Sequence, residues 1–439
     1  RLALGATIGA LVGGTASAQE DQVRSLPDYG APNTRHFAGL SDATPQGENR
    51  LFYYFVEADV GSSSVETPIL IWLNGGPGAS SLIGLFVENL GPQKITADSR
   101  MVDNPDHISK KYHLLAVDNP VGAGYANTKT AAYVRTEEEM RTQFVQALRG
   151  FFRAHPEYAK NPLWVTGESY AGKYVPHIAR ELSVNATEIP LRGVIIGNGL
   201  YNEVVQYATV GSMAFGAGVI DEHLLKDVTQ RQEQCISAIK RNMQRAGDFC
   251  ENVTVRYLYT GANAAAGKLF YYDFGMTQAA EFDKVTASLG KYLNRPDVKV
   301  AFHVDGNVTW LNADETGPVA EALMSDFTRP SAPVVASLLE SGKEVVMYNG
   351  VRDGSVCNHI GNLKALYAMS WSGNAEFAAS RSIPWPSADN VMGHIRTARN
   401  LRFATVMRTG HLVPNVVPQS FSTLLDLILE PKHTTEVFA

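Results

Sequence analysis

Short apolar runs alternate with amphipathic stretches along most of the chain, and that alternation is the pattern of an α/β sheet. Six runs read as strands: 68–73, 113–117, 163–166, 194–196, 344–348 and 402–406. Between them the spacing predicts a helix from about Thr136 to His155. Met140, Phe144, Leu148 and Phe151 fall on one face, Thr136 and Glu139 have capping-box spacing, and Pro156 lies just past the end. Residues 201–300 differ, being richer in helix formers and polar residues, and read as an insertion between two core strands. The organisation predicted is a core in two parts, 19–200 and 301–439, with that insertion between them. No internal repeat or low-complexity segment interrupts it.

The 439 residues suffice for a large core. The net charge of −6 gives no basic footprint for nucleic acid, and no Lys/Arg stripe is visible. Residues 1–18 read as a signal peptide: Arg1 is positive, Leu2 to Gly14 are apolar or small, and Ala16-Ser17-Ala18 fits a cleavage site. A buried helix is the weaker reading there, because four glycines make a poor helix interior. No later run of about 18 apolar residues predicts a membrane anchor. Sequons begin at Asn185, Asn252 and Asn307. Of the three cysteines, Cys235 and Cys250 are close enough in sequence to bridge in an oxidising compartment, which would leave Cys357 as a free thiol.

The chemistry gathers at strand ends. Gly167-Glu168-Ser169-Tyr170-Ala171-Gly172 follows the run 163–166 and precedes a helical segment, the setting of a nucleophile elbow. A sharp turn needs small residues beside the serine, and Ala171 stands where the general pattern has its second Gly. Trp72-Leu73-Asn74-Gly75-Gly76-Pro77-Gly78 follows another strand. Its backbone can supply one oxyanion-hole N–H, assigned to Gly76, with Tyr170 supplying the other. His411, on the loop after 402–406, is the candidate base, and Asp353, after 344–348, the candidate orienter. The order Ser, Asp, His is that of an α/β-hydrolase. No metal or cofactor is called for.

Together these segments resemble the serine carboxypeptidase family, and are carboxypeptidase Y-like. The resemblance rests on WLNGGPGASS at 72–81, DNPVGAGYA at 118–126, GESYAGKYVP at 167–176, GVIIGNGL at 193–200, YLNRPDVKVAFHV at 292–304, CNHIGN at 357–362 and GHLVP at 410–414. It implies an α/β-hydrolase fold, a mostly parallel sheet with helices on both faces and a largely helical cap at 201–300. The implied activity is release of single residues from peptide and protein C-termini through an acyl-enzyme, favoured at acidic pH. The implied site for the substrate's terminal carboxylate is Asn74, Gly75 and Glu168, with Glu88 paired to Glu168 and Trp72 supporting Asn74. Cys357 and Leu412 would line the substrate pocket. A secreted or vacuolar location follows. Three positions depart from the family pattern: Ala79 replaces a usual Cys, Leu412 a frequent Met, and the Asp353–Cys357 loop is one residue longer. Two other readings share this triad: an acyltransferase or esterase, which the carboxylate-site residues disfavour, and a silent binding protein, which the intact triad disfavours.

Overall fold

The six apolar runs are six neighbouring parallel strands of one sheet. The computed structural model describes residues 21–59, 64–260, 264–277, 280–312 and 317–430. Residues 1–18, read from the sequence as a signal peptide, lie outside them. In chain order the strands are β1 (His36–Asp42), β2 (Asn49–Val56), β3 (Ile69–Leu73), β4 (Gln93–Ile95), β5 (Met101–Asp103), β6 (His113–Asp118), β7 (Asn127–Thr128), β8 (Leu163–Glu168), β9 (Leu191–Gly197), β10 (Glu344–Gly350), β11 (Ile383–Pro386), β12 (Val391–Ala398) and β13 (Leu401–Val406). The main sheet runs β1-β2-β6-β3-β8-β9-β10-β13-β12-β11, with β7 on β2; β4 and β5 form a separate hairpin. From β6 to β13 every neighbour is parallel. Antiparallel strands flank this centre on both sides.

A parallel centre must be apolar on both faces, because helices cover both. Side chains alternate sides along a strand, and the core divides accordingly. Ile69, Ile71 and Leu73 of β3, Val165 of β8, Val194 and Ile196 of β9 and Val345 and Met347 of β10 belong to one cluster. Leu70, Trp72, Trp164, Ile195, Val346 and Tyr348 belong to the other.

The predicted helix is Glu137–Ala154. Thr136 Oγ1 accepts from the Glu139 N–H at 3.2 Å, as a capping box requires. The reciprocal bond falls one residue early, because Glu139 Oε2 accepts from Arg135 N at 2.7 Å. Helices also fill most of the chain between β9 and β10, among them Glu222–Lys240, Ala246–Val253 and Ala280–Leu293. Part of this region has its own small core, around Val210, Val228, Val255 and Leu258. Cys235 and Cys250 bridge the first two of those helices. Among the described residues no helix is long and apolar enough to cross a membrane.

Candidate active site

In an open α/β sheet the carboxyl ends of the parallel strands face the site. β3, β8, β10 and β13 deliver the loop 74–81, Ser169, Asp353 and His411 to that edge.

The turn after β8 is tight enough to hold Ser169 at φ +62°, a left-handed conformation that costs a non-glycine residue about 1–3 kcal/mol. Neighbouring backbone fixes it: Ser169 N donates to Gly197 O, and Ser169 O accepts from Gly172 N and Leu200 N. A side chain at Gly75 would meet Tyr170 N at 2.4 Å, and one at Gly167 would meet the Ala171 Cβ at 2.7 Å. The loop 74–76 is thus pressed against the elbow, and Ala171 fits because Gly167 opposite it has no side chain. Gly76 and Tyr170 line the same cavity as Ser169.

Asp353 is fully buried. Its Oδ2 lies 2.7 Å from His411 Nδ1 and accepts from Asn198 Nδ2 at 2.8 Å, while Oδ1 accepts from Ser355 N at 2.8 Å. Ser355 Oγ accepts in turn from Cys357 N, which closes the Asp353–Cys357 loop as a turn. An ionised carboxylate only accepts, so the imidazole proton is assigned to Nδ1. Nε2, which makes no hydrogen bond, is then a lone pair beside the cavity that Ser169 lines. Tyr272 stacks on the His411 ring at 4.4 Å, and its carbonyl accepts from His411 N at 2.6 Å. Next to Tyr272, Asp273 accepts from Arg352, and Gly354 N donates to Tyr271 O. The segment 271–273 is therefore stitched to both the Asp353 and the His411 loops.

Behind the elbow sits a buried polar network. Asn74 Oδ1 accepts from Trp72 Nε1 at 2.8 Å and from Gly84 N at 3.0 Å. That leaves its amide group as a donor to Glu88 Oε1 at 3.0 Å and Glu168 Oε1 at 3.2 Å. Glu88 is wholly buried and Glu168 is 2% exposed. Burial pushes the Glu88 carboxyl up to about 7, against hydrogen bonds with Glu168 and Asn74 and the charge of His411, which hold it down. Two carboxyls this close share a proton more cheaply than they both ionise. The Tyr348 ring at the end of β10 completes the surroundings.

The Ser169 cavity holds about 240 Å³ and is also lined by Tyr207, Glu251, Tyr272, Phe327, Cys357 and His411. Cys357 is outside any disulfide. Leu412 lines a neighbouring cavity that shares Tyr272 with the first. Asn185, Asn252 and Asn307 are exposed, and Asn252 also lines the Ser169 cavity. Among the described residues no cluster could hold a metal ion. Sequence reasoning missed Asn198, Tyr272, Arg352 and Tyr348. Only Asn198 carried a local signal, a polar residue between Gly197 and Gly199 at a strand end.

Comparison with known proteins adds a family to this geometry. The sequence model of the family described as serine carboxypeptidase matches residues 27–430. Serine carboxypeptidase-like 48 of Arabidopsis thaliana is 30% identical over 94% of this chain and 80% of its own length. Pheromone-processing carboxypeptidase KEX1 of Uncinocarpus reesii is 29% identical over 93% of this chain and 67% of its own length. Among solved structures, a prohormone-processing carboxypeptidase from Saccharomyces cerevisiae superimposes with a TM-score of 0.80 at 23% identity, covering 96% of both chains. At that identity the superposition speaks for the fold alone, an α/β-hydrolase.

Proposed function

The chain belongs to the serine carboxypeptidase family, and from that premise we propose that Ser169, His411 and Asp353 release single residues from free C-termini of peptides and proteins. The observation that carries the assignment is the 2.7 Å contact between Asp353 and His411, whose other nitrogen is left open beside the cavity of Ser169.

Neutral His411 takes the Ser169 proton as Oγ attacks the carbonyl carbon before the last residue. The carbonyl oxygen becomes an oxyanion held by the N–H groups of Gly76 and Tyr170, each typically worth about 3 kcal/mol to the transition state. The tetrahedral intermediate collapses, the C–N bond breaks, and His411 gives its proton to the leaving amine. Water repeats the sequence on the acyl-enzyme and frees the shortened peptide. The departing residue's carboxylate binds Asn74, the Gly75 N–H and the protonated Glu88–Glu168 pair, with Trp72 holding the Asn74 amide in place. Cys357 borders the acyl-side pocket and Leu412 the pocket of the leaving residue. Residues 201–300 act as a cap that narrows access.

The finer reading is an acid-favoured enzyme that enters the secretory pathway on residues 1–18. It carries glycans at Asn185, Asn252 and Asn307 and ends secreted or in a vacuole. The buried disulfide fits an oxidising compartment. The test is a mixed peptide library digested at acidic and neutral pH and read by mass spectrometry, with the parent and Ser169→Ala. Loss of single terminal residues by the parent alone is expected. Unchanged digestion by Ser169→Ala would overturn the triad.

A further inference from the structure

The loop 74–81 bears Asn74 and the oxyanion donor Gly76, yet much of it is glycine. Gly76 and Gly78 have φ of +105° and +99°, in the region that glycine adopts freely. A loop of this composition is not rigid by itself, and preorganised donors need rigidity. Its shape is fixed at its far end by a buried chain of hydrogen bonds. Ser80 Oγ donates to Asp118 Oδ1 at 2.6 Å, and Ser81 N donates to the same oxygen at 3.0 Å. Asp118 Oδ2 accepts from Tyr125 N at 2.8 Å. Ser81 Oγ donates to Val117 O at 2.6 Å and accepts from Asn74 N at 3.2 Å. The chain thus ends on the backbone of the residue two before Gly76.

At its other end it is anchored by a residue 230 positions away. Trp310 Nε1 donates to Ser80 Oγ at 3.0 Å. Trp310 is 4% exposed, and both its backbone groups are tied to the Asn294 side chain, at 2.9 and 3.1 Å. Its neighbour Leu311 pairs with Gly124 through two backbone bonds. One side of the site is therefore strapped from outside the sheet strands that build it, at Ser80, the residue next to Ala79.

We infer that Trp310 is a positioning residue for the oxyanion loop, acting through Ser80, Asp118 and Ser81 on the Asn74 backbone and so on Gly76, while the Asn74 side chain is held separately by Trp72, Gly84, Glu88 and Glu168. The inference rests on the site reading above. With the Trp310 N–H removed, Ser80 keeps its bond to Asp118 but loses its outer anchor. The loop then samples positions in which the Gly76 N–H is misplaced for the oxyanion. Ground-state binding of the peptide depends little on that donor, so the loss falls on the chemical step.

The test uses Trp310→Phe, which keeps an aromatic ring but deletes the N–H together with part of the indole, with Ser80→Ala, which removes only the hydroxyl, as a second break in the same chain. Three quantities are read in parent and variants: kcat and KM on a free-acid peptide, the Ki of a peptidyl aldehyde, and Tm. The aldehyde forms a hemiacetal with Ser169 whose oxygen occupies the oxyanion position, and it lacks the terminal carboxylate. Expected is a fall in kcat of about tenfold, the scale of one hydrogen bond. The Ki should rise by a similar factor while KM stays within about twofold of the parent. A purely structural role would lower Tm and leave kcat and Ki together within about twofold, and that result in either folded variant would overturn the inference. A parent indifferent to the aldehyde would overturn the site reading and this inference with it.

Discussion

Asn198 and Asp353, 155 residues apart in sequence, meet through a 2.8 Å hydrogen bond on the same carboxylate oxygen that faces His411. Asn198 in turn accepts from Gly350 N at 3.0 Å, so its amide cannot flip without losing both bonds. Asp353 Oδ2 is thereby fixed as an acceptor aimed at Nδ1. Asp353→Asn places a donor against two donors and favours the wrong imidazole tautomer. The expected loss in kcat is on the order of 10⁴-fold, the scale of such a change in another triad. Asn198→Ala removes one bond to a charged group and should cost about tenfold or more. Steady-state kinetics on a free-acid peptide check both, and a loss below tenfold for Asp353→Asn would show that His411 is oriented by something else.

The thiols give a simpler count. Three cysteines less the two in the Cys235–Cys250 bridge leave one titratable thiol per chain in denaturant without reductant. The bridge spans 15 residues, for which chain entropy predicts about 3 kcal/mol of stabilisation. The double variant Cys235→Ser, Cys250→Ser should lose roughly that amount in denaturant unfolding. Cys357 borders the Ser169 cavity, so a bulky mercurial should inhibit the parent and spare Cys357→Ser. Finding two or more thiols in the unreduced parent would refute the pairing.

The parallel centre of the sheet was legible because strands buried on both faces are continuous apolar runs. The flanks were not. β12, VMGHIRTA, is half exposed and carries His394 and Arg396, so its pattern is mixed. β2 is apolar from Leu51 to Val56 but needed the antiparallel pairing with β1 and β6 to be recognised as a strand. The strand-end placement of Ser169, Asp353 and His411, the proposed triad, was legible. The contacts that tune it were not, since Tyr272 and Asn198 reach His411 and Asp353 only through the fold. The Asp353–Cys357 spacing looked like a departure in sequence; in space that loop is closed by the Asp353 carboxylate itself, through Ser355 N.

Stability should fall as the solution becomes alkaline. Glu137 is buried with neither oxygen in a hydrogen bond of good geometry, and burial, with Asp326 beside it, raises its carboxyl from 4.5 to about 8 although Lys173 and Tyr170 hold it down. Burial likewise raises Asp118 to about 6 and Glu88 to about 7. For each, the folded state holds more protons than the unfolded state between the two pKa values. The stabilisation is therefore complete below about 4 and lost as pH rises through 6 to 8. Burial lowers His36, His113 and His177, which act in the opposite sense below about 6.5, so calorimetry should read the carboxyl effect as the difference in Tm between the parent and Glu137→Gln at pH 5 and at pH 8. Glu137→Gln, which stays neutral, should match the parent in acid and exceed it at pH 8. A variant whose Tm tracks the parent at both pH values would mean that Glu137 is already ionised in the fold.

The Glu88–Glu168 pair sets a second pH dependence, on substrate binding. With a shared proton the pair can donate to the substrate's terminal carboxylate. Once that proton leaves, the same two groups repel it. The Glu88 carboxyl, raised to about 7, stays protonated below neutrality, so KM for a free-acid peptide should be lowest in acid and climb as pH passes about 7. A matched peptide with an amidated C-terminus carries no such charge. It should bind less well in acid and change much less with pH. Glu88→Gln replaces the proton by a permanent N–H donor, and its KM should stay nearly flat across neutrality. His411 works in the opposite sense, because only the neutral imidazole can accept the Ser169 proton. The optimum of kcat/KM on free-acid peptides should therefore lie on the acidic side of neutral, where the two requirements overlap. KM against pH for both peptides, in the parent and in Glu88→Gln, isolates the Glu88 limb, since it appears only with the free acid. A free-acid KM that stays flat to alkaline pH, or profiles that Glu88→Gln leaves unchanged, would remove the carboxylate site from this pair.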